Sequence, residues 1–215
     1  MDLSVIYHFS KNKLKEEKTG HDWLHALRVE KNALMVAPAD LSKKEVDLLK
    51  AACWLHDTID KKIISSKRAS TKEVQKILEK AHAENKEIDE ILHIIQNLSY
   101  SKNIEKKREL SLLGQIVQDA DRLDAIGAIG IARTFYYGGS KEHSLYDNEE
   151  ARLKEELTEE NYHEQKSIIN HFYEKLLLLK DTMNTKAAKK IAIKRTQFME
   201  VFLQHFEEET DFKTD

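Results

Sequence analysis

Apolar residues return every three or four positions along almost the whole chain, the spacing of one helix face, and connections are marked only where glycine, asparagine, serine or a lone proline cluster. This pattern predicts about eight to ten helices. A short one covers 2–17, and the next starts near Thr19-Gly20 and carries Leu24, Leu27, Val29 and Met35. Ser42 followed by Glu45 reads as a capping box that opens a helix running to Asp57, and Ser70-Thr71-Lys72-Glu73 opens 70–83. Further helices are expected at 85–98, 105–133, 158–182 and 186–208, with 138–152 as the main irregular stretch, beginning Gly138-Gly139-Ser140. Ile191, Phe198, Val201, Phe202 and Phe206 form a stripe expected to pack in the core, and continuous leucine at 176–179 suggests a helix buried on several sides.

Composition narrows the fold class. The 215 residues include six glycines and one proline, Pro38, too little turn punctuation for a mainly β protein. Hydrophobic residues at 40% and charged residues at 34% place the chain among folded globular proteins rather than disordered ones. With no internal repeat and no low-complexity linker, the expectation is one all-α domain over 1–215, its core at about 4–208 and an acidic tail, 209–215, that frays.

Net charge is −3, from 35 basic against 38 acidic side chains that alternate locally, so neither a nucleic-acid nor a membrane partner is expected. The longest pure apolar run, Leu176–Leu179, is far short of the roughly 20 residues that span a bilayer, and no signal-peptide segment opens the chain. A cytoplasmic location follows as an expectation, and a homodimer is compatible with it. The single cysteine, Cys53, lies in an apolar segment with no adjacent cation and reads as a packed thiol.

Candidate chemistry sits in three helices. His21-Asp22 and His56-Asp57 are two His-Asp dipeptides in a chain with ten histidines, so a dipeptide alone means little; a helix-capping histidine with a backbone-bonded aspartate is the plain alternative. The setting matters more, because Cys53-Trp54-Leu55-His56-Asp57 brings an ionisable pair out of apolar surface. That is costly unless something such as a divalent cation compensates it. His25 lies on a second apolar helix. Asp119, Asp121 and Asp124 crowd a third, where buried carboxylates repel each other unless a cation intervenes.

His25, then His56-Asp57, then Ala120-Asp121-Arg122-Leu123 resemble the H…HD…D signature of the HD-domain metal-dependent phosphohydrolases. Residues 117–133 and Asn170–Leu176 extend the likeness to a branch of small bacterial nucleotide phosphohydrolases, over about residues 4–208. The resemblance implies an all-α HD-type bundle and a metal held by His25, His56, Asp57 and Asp121, with Asp119 as the competitor for the last place. His21, one turn from His25, becomes a substrate-binding or ligand-supporting group, and Asp124 a group that orients a ligand or an arginine. Asp60, three residues after Asp57, is implied as general acid or base, against the alternative of pairing with Lys61 or Lys62.

Two imidazoles and two carboxylates suit Mn²⁺, Fe²⁺, Co²⁺, Ni²⁺ or Zn²⁺; manganese is preferred here, with magnesium as a substitute. The resemblance implies one ion, because the paired extra histidines of the family's binuclear branch are not found between His56 and Asp121, where only His82 and His93 occur. An anionic phosphate requires further cations, for which Arg28, Lys61, Lys62, Lys102, Arg133 and Lys141 are available. Arg133 and Lys141 stand out among them by position, and Tyr136, Tyr137 and Tyr146 either stack on a base or pack ordinarily. The preferred reaction is a nucleoside or deoxynucleoside triphosphate to monophosphate plus pyrophosphate. Its rivals are guanosine alarmone hydrolysis, phosphate removal from deoxynucleoside monophosphates, and a metal-dependent nucleotide-binding module without turnover.

Overall fold

The computed structural model of the protein describes residues 1–17, 20–59, 68–104, 106–147, 151–153, 156–158 and 167–210. The helices are α1 (Leu3–Leu14), α2 (Trp23–Val36), α3 (Lys43–Leu55), α4 (Thr71–Lys80), α5 (Asn85–Asn97), α6 (Leu112–Asp124), α7 (Gly127–Ser140), α8 (Ile168–Glu174) and α9 (Lys186–Thr210). Short 3₁₀ segments stand at Ser101–Asn103 and Leu176–Thr182. Among the described residues there is no β-strand, only one isolated bridge between Ser144 and Ser167. The fold is all-α and single-domain.

Local sequence explains most helix starts. Ser42 and Glu45 form the expected reciprocal capping box on α3, and Ser70 accepts from the Glu73 amide on α4. Asp22 accepts from the amide of His25 at 2.7 Å, which fixes the start of α2 two residues before that histidine. The His21-Asp22 dipeptide is therefore split between two tasks.

At the centre, α2 packs most extensively against α6 and α3. The buried faces there carry small residues, Ala26 and Ala33 on α2, Ala51 and Ala52 on α3, and Ala120 on α6. Short side chains at a helix contact let the axes approach. That closeness allows groups from three helices to share one point.

Four expectations are corrected. The helix foreseen over 105–133 is two helices, α6 and α7, parted at Ala125-Ile126, with Gly127 in the left-handed region at φ +76. Gly138 and Gly139 do not begin a loop; α7 continues through them to Ser140, and a Cβ on Gly138 would lie 2.4 Å from Ile168. Within the described part of 158–182, α8 ends at Glu174 and the leucine run forms a 3₁₀ helix. Its threefold repeat buries Leu176 and Leu179 and leaves Leu177 and Leu178 half-buried. On α9 the buried line is Ala188, Ala192, Thr196, Met199 and Leu203, so Phe198 and Val201 are each 53% exposed. α9 meets the bundle through Ala188, Ala192 and Thr196 and then Met199 and Leu203, with Ile191, Phe202 and Phe206 only partly covered.

Candidate metal centre

α2 supplies His25 from its first turn, the end of α3 supplies His56 as its C-cap with Asp57 directly after it, and α6 supplies Asp121. Nε2 of His25 lies 3.2 Å from Nε2 of His56, 3.2 Å from Oδ2 of Asp57 and 3.4 Å from Oδ1 of Asp121. Nε2 of His56 lies 3.4 Å from Oδ2 of Asp57 and 3.7 Å from Oδ1 of Asp121. Both histidine side chains are fully buried, and Asp57 nearly so. Asp121 keeps about a quarter of its side chain open, at 29%. Of the four, Asp121 is the one that solvent reaches most.

The outer hydrogen bonds decide what these atoms present to each other. Nδ1 of His56 is 2.7 Å from the Cys53 carbonyl, which can only accept, so Nδ1 carries the proton. Nδ1 of His25 donates to Asp124 Oδ2 at 2.7 Å by the same reasoning. In the neutral rings, both Nε2 atoms then offer lone pairs, as do the two carboxylate oxygens. Four lone pairs facing one buried point are mutually repulsive, and a divalent cation is what such a donor set fits. Each Nε2 lies 3.2–3.7 Å from the other and from Asp57 Oδ2 and Asp121 Oδ1, and His25, His56 and Asp121 by themselves form a group able to hold one ion, so the residues present fit the group that the sequence implied.

The acid–base properties respond to the same crowding. Burial and Arg133 both act to lower the pKa of His25, yet its bonds with Asp121, Asp124 and Asp57 raise it to about 10. Burial likewise opposes protonation of His56, and the charges of Asp57 and Asp121 override it, giving a net rise. Burial acts to raise Asp57 and Asp121, but the facing histidines hold both well below the usual carboxylate range. Without an ion, a proton takes its place.

Asp119 is directed elsewhere. Its carboxylate accepts from the amides of Asn184 and Thr185 at 2.8 and 2.7 Å and from the Asn184 side chain at 3.0 Å, tying α6 to the start of α9. Asp124 accepts from His25, from Nε and Nη2 of Arg28 at 2.8 and 3.0 Å, and from Nη1 of Arg133 at 3.1 Å. Against burial, those bonds lower its pKa to about 2. The Arg28–Asp124 pairing spans 96 residues, and no local pattern announces it.

His21 donates from Nδ1 to Asp57 Oδ2 at 2.7 Å, placing it against the cluster. Arg133 is engaged with Asp124 and with the Gly20 carbonyl at 3.0 Å. Lys141 caps α7 with its ammonium 5.9 Å from the Tyr137 ring centre, and no bond among the described residues ties it to the cluster. Tyr136 and Tyr146 are exposed, at 56% and 45%. Lys102 donates to the Gln96 carbonyl. Asp60, Lys61 and Lys62 lie outside the described residues. Cys53 is buried, and burial pushes its thiol well up, as expected of a packed cysteine.

An all-helical domain with a buried His₂Asp₂ cluster is the architecture of a metal-dependent hydrolase. The HD-domain family profile matches residues 23–126, the stretch from the first turn of α2 past Asp121. The uncharacterized protein YpgQ of Bacillus subtilis is 37% identical over 197 residues, covering 91% of this chain and 87% of its own. Among solved structures, a Lactobacillus plantarum protein superposes with a TM-score of 0.84 at 39% identity, covering 96% of this chain and 95% of the other. YpgQ crystallised in complex with ADP gives 0.77 at 33% identity, with 98% and 96% covered. An HD-superfamily hydrolase of Bacillus thuringiensis gives 0.70 at 38%, with 98% and 97% covered. The chain belongs to the HD-domain superfamily of metal-dependent phosphohydrolases.

Proposed function

We propose that the protein hydrolyses nucleoside or deoxynucleoside triphosphates to the monophosphate and pyrophosphate, with Mn²⁺ as the preferred ion. The observation that carries the reading is the approach of His25 Nε2 and His56 Nε2 to each other and to Asp57 Oδ2 and Asp121 Oδ1, within 3.2–3.7 Å. The ADP complex of the related YpgQ supports a nucleotide with a phosphate chain as the ligand class. A divalent ion bound by these four residues supplies Lewis acidity, making a water nucleophilic near neutral pH and drawing charge from a phosphoryl oxygen.

The remaining work belongs to the chain. Asp124 and the Cys53 carbonyl hold the two imidazoles in the tautomer that directs Nε2 inward. His21 holds Oδ2 of Asp57 and stands close enough to the cluster to meet substrate. Asp60 is assigned the proton released as water attacks phosphorus and the bond to the leaving pyrophosphate breaks. Lys61, Arg133 and Lys141 are assigned to the phosphate chain.

The test is a panel of nucleoside and deoxynucleoside tri-, di- and monophosphates and guanosine alarmones, assayed with Mn²⁺, Mg²⁺, Co²⁺, Ni²⁺, Fe²⁺ and Zn²⁺ and scored by product. Pyrophosphate from triphosphates is the expected result. Inorganic phosphate from monophosphates, or turnover confined to alarmones, transfers the centre to a different substrate. Tight nucleotide binding with no turnover under any metal makes the protein a binding module.

A further inference from the structure

The donor set accounts for the ion but leaves the attraction of a polyanion unexplained. With a divalent ion in place, Asp57 and Asp121 neutralise it and His25 and His56 are uncharged, so the centre itself carries no surplus. The surplus lies one imidazole away. Asp124 is a single buried carboxylate, only 3% exposed, that binds two guanidinium groups, Arg28 and Arg133. Two positive charges against one negative leave a net positive charge beside the neutral centre.

Both arginines are placed to use it. Arg28 follows His25 by one turn on α2, and Arg133 reaches from α7 across Asp124 to the carbonyl of Gly20, the residue before His21. Each guanidinium is held at two points, and among the described residues each keeps one terminal nitrogen with no bond: Nη1 of Arg28 and Nη2 of Arg133. The Arg28 side chain is 32% exposed and that of Arg133 18%. Held by a carboxylate, with a terminal donor to spare on each, they are preorganised for a phosphate oxygen. Arg122, by contrast, is buried and donates to the Thr182 carbonyl, and among the described residues Lys102 and Lys141 have no bond to the cluster.

We propose that Arg28 and Arg133, paired on Asp124, form an anion subsite that takes a phosphate group of the substrate next to the one at the metal ligands. This deepens the nucleotide reading and rests on it for the identity of the substrate. The subsite selects ligands with at least two linked phosphates over those with one.

The experiment is calorimetric titration of the Mn²⁺-loaded protein with pyrophosphate and, separately, with orthophosphate, comparing wild type with Arg28→Gln and Arg28→Lys. Arg28→Gln should weaken pyrophosphate binding roughly 10- to 100-fold, the scale of a lost charge-assisted hydrogen bond. Orthophosphate and Mn²⁺ affinities should move by less than about threefold, and Arg28→Lys should recover part of the pyrophosphate affinity. Unchanged pyrophosphate affinity in Arg28→Gln, or an equal loss for both anions, overturns the subsite and leaves the arginines as supports for Asp124. Should Arg28→Gln fail to fold, Arg28→Lys decides alone: it must lose pyrophosphate affinity and keep Mn²⁺ affinity. Pyrophosphate binding that depends on Arg28 in a protein that turns over no triphosphate leaves the subsite standing and removes the proposed reaction.

Discussion

Asp119 and Asp121 stand two positions apart on α6, about 200° around the helix, and this rotation gives them different roles. Asp121 turns into the histidine cluster and Asp119 onto the amides before α9. Asp121→Ala should abolish retention of Mn²⁺, measured by elemental analysis after desalting, with the far-UV circular dichroism intact. Asp119→Ala should keep the ion and lose about 1–3 kcal/mol of stability in urea melts, because the half-buried Asn184 and Thr185 amides lose their acceptor. If Asp119→Ala is the variant that sheds the ion, the ligand assignment fails. Asp124 acts through His25: Asp124→Asn removes the charge that fixes the Nδ1 proton and should raise the Kd for Mn²⁺ roughly 10- to 100-fold.

Helix starts followed the chain at Ser42 and Ser70, where both capping partners lie within one turn. They departed from it where distant packing intervenes. The α6–α7 break rests on close approach, since a Cβ on Gly130 would lie 2.4 Å from the backbone oxygen of Ala125. Gly130→Ala should therefore cost about 1–3 kcal/mol, visible as a fall in Tm of roughly 2–12 °C with Mn²⁺ present. An unchanged Tm would mean that the junction yields freely. On α9, a stripe of large apolar residues suggested the buried face, but the bundle accepts alanines there and leaves Phe198 outside. Helical period reports that a face is apolar; the space available decides which apolar residues fill it.

For the whole molecule, ion and proton compete for one place. The folded pKa of His25, about 10, lies above its ordinary 6.5, so the proton's contribution to stability is complete below about pH 6.5 and is lost as pH climbs toward 10. Chelator-treated protein should lose Tm across that interval. Mn²⁺ requires the deprotonated ring, so the Tm difference between loaded and chelated protein should widen over the same interval. At a free ion concentration about 100 times Kd the gain is about 2.7 kcal/mol, or roughly 5–11 °C for a chain of this size. Parallel melts of the two forms that do not diverge with pH would remove the shared place.

Much of the protein was legible in one dimension. Period and scarce turn residues determined an all-α chain, and the order of His25, His56-Asp57 and Asp121 determined the family, because these are properties of near neighbours and of residue type. Only the tertiary structure turned Asp121 rather than Asp119 inward, gave Asp22 to a helix start and His21 to Asp57, and brought Arg28 and Arg133 onto Asp124. Those choices depend on how closely α2, α3 and α6 approach and how each is rotated. The closeness comes from alanines at those contacts, Ala26, Ala33, Ala51, Ala52 and Ala120, whose effect is the space they leave empty.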